Sequence, residues 1–206
     1  MIALVDYGMG NLRSVINAFE LIGKSVEVVS DPAGLRRADG IIVPGVGAFA
    51  DGMRNLERLR LIDPLVEEVR GRGKPYLGIC LGMQFLAEKS FEWGAHPGLG
   101  WIPGVVKRIE PPDRRFKVPH IGWNDLTITR PGRLYEGLDE APVYYFVHSY
   151  YFAVNTEAND SVTATCNHGE TMPASVEAGN IFGVQYHPEK SQRVGLRVLE
   201  NFARLF

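Results

Sequence analysis

The chain has 206 residues, of which 45% are hydrophobic and 22% charged, and its formal net charge is −2. The composition is that of an ordinary globular protein with enough chain for one well-packed core, and the near-neutral charge gives no electrostatic reason to bind nucleic acid or an anionic membrane. No apolar run approaches the roughly 20 residues of a membrane span, and two cysteines, Cys80 and Cys166, are too few for a disulfide scaffold and fit a reducing cytoplasm.

Ile2 to Val5 is a short apolar run ending at Asp6-Tyr7-Gly8, the pattern of a buried strand that runs into a turn. It has neither the basic start nor the small-residue cleavage site of a signal peptide, so the chain is expected to be cytoplasmic. From Asn11 to Ile22 the apolar residues Leu12, Val15, Ile16, Phe19 and Ile22 recur at helical spacing, and Gly23 fits just past the end. Val26 to Val29 predicts a second strand. Gly40 to Val43 predicts a third, stopped by Pro44-Gly45-Val46-Gly47. Met53, Leu56 and Leu59 predict a helix after that loop, and another runs from about Pro64 to Arg70. Tyr76 to Ile79 is a fourth strand, broken at Cys80 by flanking glycines, and Leu81 to Ala87 turns helical. This alternation implies a parallel sheet with helices on both faces.

The second half reads differently. Val105 to Ile109, Ile121 to Thr127, Val143 to Val147, Tyr151 to Val154, Val162 to Cys166, Ala174 to Val176 and Ile181 to Gln185 are short β-rich runs divided by Gly, Pro, Asn and Asp. They are expected to be antiparallel strands added to the same sheet. A helix around Val194 to Leu205 follows. Without a repeat, a low-complexity tract or a linker, the economical reading is a single α/β domain over residues 1–206. Its sheet is mixed, mostly parallel and flanked by helices.

Gly78-Ile79-Cys80-Leu81-Gly82 is the sharpest local signal. A strand ends, a nucleophilic residue sits between two glycines, and a helix begins; small neighbours relieve crowding at such a turn. A helix N-terminus favours the thiolate, and the Leu81 N–H would point towards an oxyanion on the attacked carbon. A free cysteine is more often an inert core residue, which is the reading for Cys166 in its strand; the glycines reverse it for Cys80.

A thiol nucleophile needs a base and a group that orients the base. His187-Pro188-Glu189 follows an apolar strand, and the proline stiffens the segment. Glu189 would hold the imidazole, while His187 would take the thiol proton and return it to the leaving group. Taken alone, the tripeptide could equally be an exposed turn. Together with Cys80, at the carboxyl ends of strands where α/β sheets place their sites, it reads as catalytic. Gly45-Val46-Gly47 lies on the same edge and offers backbone N–H groups as a second oxyanion donor. It lacks the signature of a nucleotide-binding loop. His96, His120, His148 and His168 are scattered without metal-ligand spacing, so no metal and no cofactor are expected.

Gly-Ile-Cys-Leu-Gly-Met-Gln with His-Pro-Glu resembles the class I, triad-type glutamine amidotransferases, which have a flavodoxin-like fold. Asp6-Tyr7-Gly8-Met9-Gly10-Asn11-Leu12, Pro44 to Phe49, Pro119-His120-Ile121-Gly122-Trp123-Asn124, His148-Ser149-Tyr150 and His187 to Ser191 extend the likeness over nearly the whole chain. They point within that family to the glutaminase subunits of imidazole glycerol phosphate synthases. Tyr186, where Phe is common, is the one mild departure. The resemblance implies a glutamyl thioester on Cys80. It implies that Gln84 and Glu92 bind the α-amino group of glutamine, and that the His148-Ser149-Tyr150 backbone binds its α-carboxylate. It also implies a heterodimer with a (βα)8-barrel cyclase that receives ammonia through a channel and forms imidazole glycerol phosphate and AICAR in histidine biosynthesis. Asn11, Trp123, Tyr145 and Lys190 would face that partner, although aromatic residues in strands are commonly core. The competing readings are an amidotransferase subunit of another pathway, which the triad cannot separate, and a non-catalytic cysteine sensor, which has no need of Gln84 or His-Pro-Glu.

Overall fold

The computed structural model describes residues 1–113, 115–138 and 142–206. β1 (Ile2–Val5) is buried at all four positions, as expected of a parallel strand covered on both faces. Ile2 and Leu4 join the apolar cluster on one side of the sheet, while Ala3 and Val5 join the cluster on the other, because successive side chains alternate across a strand. α1 (Leu12–Leu21) starts on Asn11, whose side-chain oxygen accepts the Ser14 N–H, and it buries Val15, Ala18 and Phe19. β2 (Val26–Val29) follows. Then comes α2 (Pro32–Arg37), capped by Asp31 with proline in its first turn. Six residues are too few to show a periodic stripe, so the apolar pattern did not predict α2.

β3 (Gly40–Gly45) runs two residues past the predicted stop. Its pairing with β1 ends at Ile42 while its pairing with β4 continues, so Pro44 interrupts no ladder on the β1 side. α3 (Phe49–Arg58) and α4 (Ile62–Leu65) come next, the latter continuing as a π-helical turn over Val66–Gly71. β4 (Tyr76–Cys80) leads into α5 (Leu81–Gln84), a single turn rather than the predicted Leu81 to Ala87. The helix stops because the carbonyls of Phe85, Leu86 and Ala87 accept N–H groups of the 99–102 segment instead of propagating the ladder.

The remaining strands are β5 (Lys89–Ser90), β6 (His96–Pro97), β7 (Gly104–Arg108), β8 (His120–Asp125), β9 (Thr127–Ile128), β10 (Val143–His148), β11 (Tyr150–Val154), β12 (Val162–Asn167), β13 (Thr171–Ala178) and β14 (Ile181–Val184), followed by α6 (Gln192–Phe202). The main sheet has the order β2-β1-β3-β4-β14-β13-β12-β9. Two expectations are corrected here. β14 joins β4 in parallel, extending the parallel core. β10 and β8 form a separate ribbon, and β11-β7-β5-β6 a separate four-stranded sheet, so the later strands do not all extend one sheet. Short alternating runs specify a strand and its buried face but not its neighbour.

Candidate active site

β3, β4 and β14 lie side by side in parallel, so their carboxyl ends open on one edge, where ligands of such sheets bind. β4 ends at Cys80, whose backbone has φ 53° and ψ −105°. The glycines beside it are required by close approach. A Cβ on Gly82 would lie 1.9 Å from the Val43 carbonyl, and one on Gly78 would lie 2.3 Å from the Gly82 carbonyl. Because α5 is a single turn, it cannot offer the thiol the macrodipole of a long helix.

β14 delivers the second half of the site. Val184 is level with Ile79 of β4, so the residues that follow arrive beside Cys80. The His187 N–H donates to the Tyr145 carbonyl at 2.9 Å, tying this segment to β10. Glu189 Oε1 lies 2.8 Å from His187 Nδ1. A carboxylate can only accept, so Nδ1 carries the proton and Nε2 is turned to other work. His187 Nε2 and Glu189 Oε2 are enclosed without a hydrogen-bond partner, which in a native site calls for a functional explanation. Burial opposes a charge on His187, but the electrostatic pull of Cys80 and then Glu189 outweighs it and raises the imidazole to about 10. The arrangement therefore favours the imidazolium form of His187. Cys166 contrasts with it, since burial alone pushes that thiol up to about 12 and leaves it unreactive.

Over Cys80 lies a cleft of about 340 Å³, walled by Val46, Gly47, Leu81, Gln84, Glu92, Pro119, Val147, His148, Ser149 and Tyr150. Its size is that of a small-molecule site. It gathers every predicted oxyanion and substrate residue except Gly45, which sits behind the wall: a Cβ there would meet the Tyr7 hydroxyl at 2.1 Å. Glu92 Oε2 accepts the Phe49 N–H at 2.6 Å, so the carboxylate caps α3, which has no cap of its own. Gln84 Nε2 donates to the Tyr150 carbonyl at 2.9 Å and to Gln185 Oε1 at 3.1 Å. With both donors used, its amide can offer a ligand only the oxygen.

Two features escaped the sequence reading. Gln185, fully buried, donates from Nε2 to Cys80 Sγ at 3.5 Å; its signal was a lone polar residue continuing an apolar strand. His120, His148 and His168, far apart along the chain, come together: His120 Nδ1 is 3.0 Å from His148 Nε2, and the His120 and His168 rings stack at 4.2 Å. Pairing of β8 with β10, which sets His120 opposite His148, brings the first two together. Among the described residues no group of His, Cys, Asp and Glu converges on a point as metal ligands do. Tyr186, the departure from the family pattern, is accommodated by stacking on Tyr144 and by a 3.0 Å contact between its hydroxyl and that of Tyr135.

The residues predicted to face a partner are not core. Trp123 is 50% exposed and meets Tyr145 edge-on at 5.8 Å, and Lys190 Nζ lies 5.8 Å from the Tyr145 ring. Asn11 is exposed at the start of α1, which packs against the 188–190 turn. No helix is long and apolar enough to cross a membrane among the described residues.

Residues 3–205 match the family described as glutamine amidotransferase class-I. The imidazole glycerol phosphate synthase subunit HisH of Moorella thermoacetica is 49% identical over 204 residues, 99% of this chain and 94% of that protein. The subunit named HisH 1 of Campylobacter jejuni is 46% identical over 205 residues, 100% of both chains. A crystal structure of a glutamine amidotransferase superposes with a TM-score of 0.74 at 20% identity, covering 98% of this chain and 100% of that one. PurLQS from Thermotoga maritima does so with a TM-score of 0.74 at 20% identity, covering 98% and 97%. These two likenesses speak to the fold, whereas the family match and the curated relatives reach across nearly the whole sequence: this chain belongs to the class-I glutamine amidotransferases.

Proposed function

We propose that this chain is the glutaminase subunit of an imidazole glycerol phosphate synthase, one catalytic domain over residues 1–206, working in the cytoplasm. Cys80 Sγ attacks the side-chain amide carbon of glutamine. The oxyanion is received by the Leu81 N–H and by the Gly45-Val46-Gly47 segment. His187 gives its Nε2 proton to the amide nitrogen, the C–N bond breaks, and ammonia leaves behind a glutamyl thioester. Water, deprotonated by His187, cleaves the thioester and releases glutamate. Glu189 keeps the imidazole in the Nδ1–H form and stabilises its charge. Gln84 and Glu92 take the α-ammonium, and the His148-Ser149-Tyr150 backbone takes the α-carboxylate. Ammonia passes through a channel to a (βα)8-barrel cyclase, bound as a heterodimer through Asn11, Trp123, Tyr145 and Lys190. There it serves the lyase step that forms imidazole glycerol phosphate and AICAR in histidine biosynthesis.

The observation that carries this reading is the elbow cysteine beside an enclosed His187–Glu189 pair whose Nε2 has no partner. Cys80→Ala is expected to abolish glutamate release from glutamine in the complex, because a methyl group cannot attack. The same complex should keep ammonia-dependent synthesis, and Cys166→Ala should retain both activities. Glutamine turnover by Cys80→Ala at the wild-type rate would refute the assignment.

A further inference from the structure

Behind the cleft wall runs a chain of hydrogen bonds in which each acceptor dictates the next donor. The Tyr150 carbonyl can only accept, so His148 Nδ1, 2.9 Å away, carries the proton. His148 Nε2 is then unprotonated and accepts from His120 Nδ1 at 3.0 Å. His120 Nε2 accepts in turn from Asn124 Nδ2 at 3.1 Å. The Asn124 amide cannot flip without loss, because its nitrogen also donates to the Asn167 carbonyl at 2.8 Å and its oxygen accepts the Asp125 N–H at 2.8 Å. Both imidazoles are buried, and His120 is stacked between Phe146 at 4.8 Å and His168 at 4.2 Å. Burial pulls His120 down to about 4 and His148 to about 3, so both are neutral near pH 7.

We propose that His120 and His148 are positioning residues: as neutral Nδ1–H tautomers they hold the Tyr150 carbonyl against Gln84 and so turn the Gln84 amide oxygen, an acceptor for an α-ammonium group, towards the substrate. This rests on the glutaminase reading given above. The Tyr150 carbonyl is shared between His148 Nδ1 and Gln84 Nε2. A flipped Gln84 would set its oxygen against two acceptors, that carbonyl and Gln185 Oε1, and turn an N–H to an ammonium ion. The His148 tautomer cannot reverse alone, since Nε2–H would then face His120 Nδ1–H. Neither imidazole is given any contact with substrate, the His148 contact being through its backbone; each ring acts through the next group. At its far end the chain reaches Asn124 on β8, the strand that also carries Trp123.

Two measurements test the proposal. Imidazole 15N shifts of the full chain near neutral pH should report His120 and His148 as protonated at Nδ1 and bare at Nε2; an Nε2–H tautomer at either would overturn it. In the complex, kcat and KM are measured for glutamine and for glutaramate, which lacks the α-amino group. His120→Phe removes the donor to His148, whereas the amide nitrogen of His120→Asn takes the place of Nδ1. His120→Phe should raise the glutamine KM by about tenfold, the effect of weakening one hydrogen bond to a charged group. Its kcat should change less, glutaramate turnover should hardly move, and His120→Asn should recover most of the loss. An unchanged glutamine-to-glutaramate ratio, or an equal loss on both substrates, would overturn the positioning role. A wild-type complex that fails to hydrolyse glutamine would instead count against the proposed function, and with it this role, while the 15N shifts still report the tautomers.

Discussion

Cys80 has φ 53° in a non-glycine residue, a conformation that costs about 1–3 kcal/mol and persists at working sites because the surroundings impose it. Glycine adopts it freely, alanine does not. Cys80→Gly is therefore expected to melt above Cys80→Ala, by about 2–4 °C for each kcal/mol in a chain of this size. The order is the reverse of the usual one, in which glycine is the less stable by about 0.5–1 kcal/mol. Equal melting temperatures, read by calorimetry on two inactive proteins, would mean that the elbow holds no strain. His187 and Glu189 divide their work differently. Losing the base should cost at least about 100-fold in kcat, while Glu189→Gln keeps an acceptor beside Nδ1 and removes only its charge. His187→Ala should therefore be the more damaging change in the complex; the opposite order would make the glutamate the principal base.

The packing of α5 against β3 includes one very close approach, Gly82 against the Val43 carbonyl. A methyl group there overlaps backbone that cannot swing away, so Gly82→Ala should lose about 1–3 kcal/mol or more in urea unfolding. Gly71→Ala, at a position with nothing within 4 Å, should stay within about 0.5 kcal/mol. This close approach was legible in the sequence as Gly-x-Cys-x-Gly, because a strand, a glycine and a turn are local facts. So were β1 to β4, short apolar-rich runs bounded by turn residues, of which only β2 carries a charge, Glu27, and is largely unburied. The later strands were legible as strands but not as neighbours, since β14 finds β4 across about a hundred residues and nothing local encodes that pairing. For the same reason the Cys80–Gln185 and Gln84–Gln185 contacts, 105 and 101 positions apart, could not be read. α5 was overextended because its helical spacing holds while its carbonyls are claimed by a distant segment.

At the scale of the whole molecule, the proposed oxyanion loop at residues 45–47 lies far along the sequence from Trp123, Tyr145 and Lys190, three of the four residues proposed to face the partner. Val46 is 41% exposed and flanked by Gly45 and Gly47, the latter at φ +101°, so its peptide groups can rotate at small steric cost. If the isolated chain rests with the donor turned away, glutaminase activity should be low alone and rise about 100–1000-fold with a ligand-loaded cyclase, because the partner favours the state it binds more tightly. Full activity of the purified chain alone would remove the gate and leave the triad intact. The insertion of β14 beside β4 has a further consequence, for the chain as it is being made. Synthesis runs from the amino end, so Cys80, the proposed nucleophile, leaves the ribosome more than a hundred residues before His187, its proposed base. β4 can pair with β3 early, but its other edge stays open until residue 184 is available. Up to that point the nascent chain holds a thiol with no imidazole to activate it, and it cannot spend glutamine before the fold that governs its use is nearly complete.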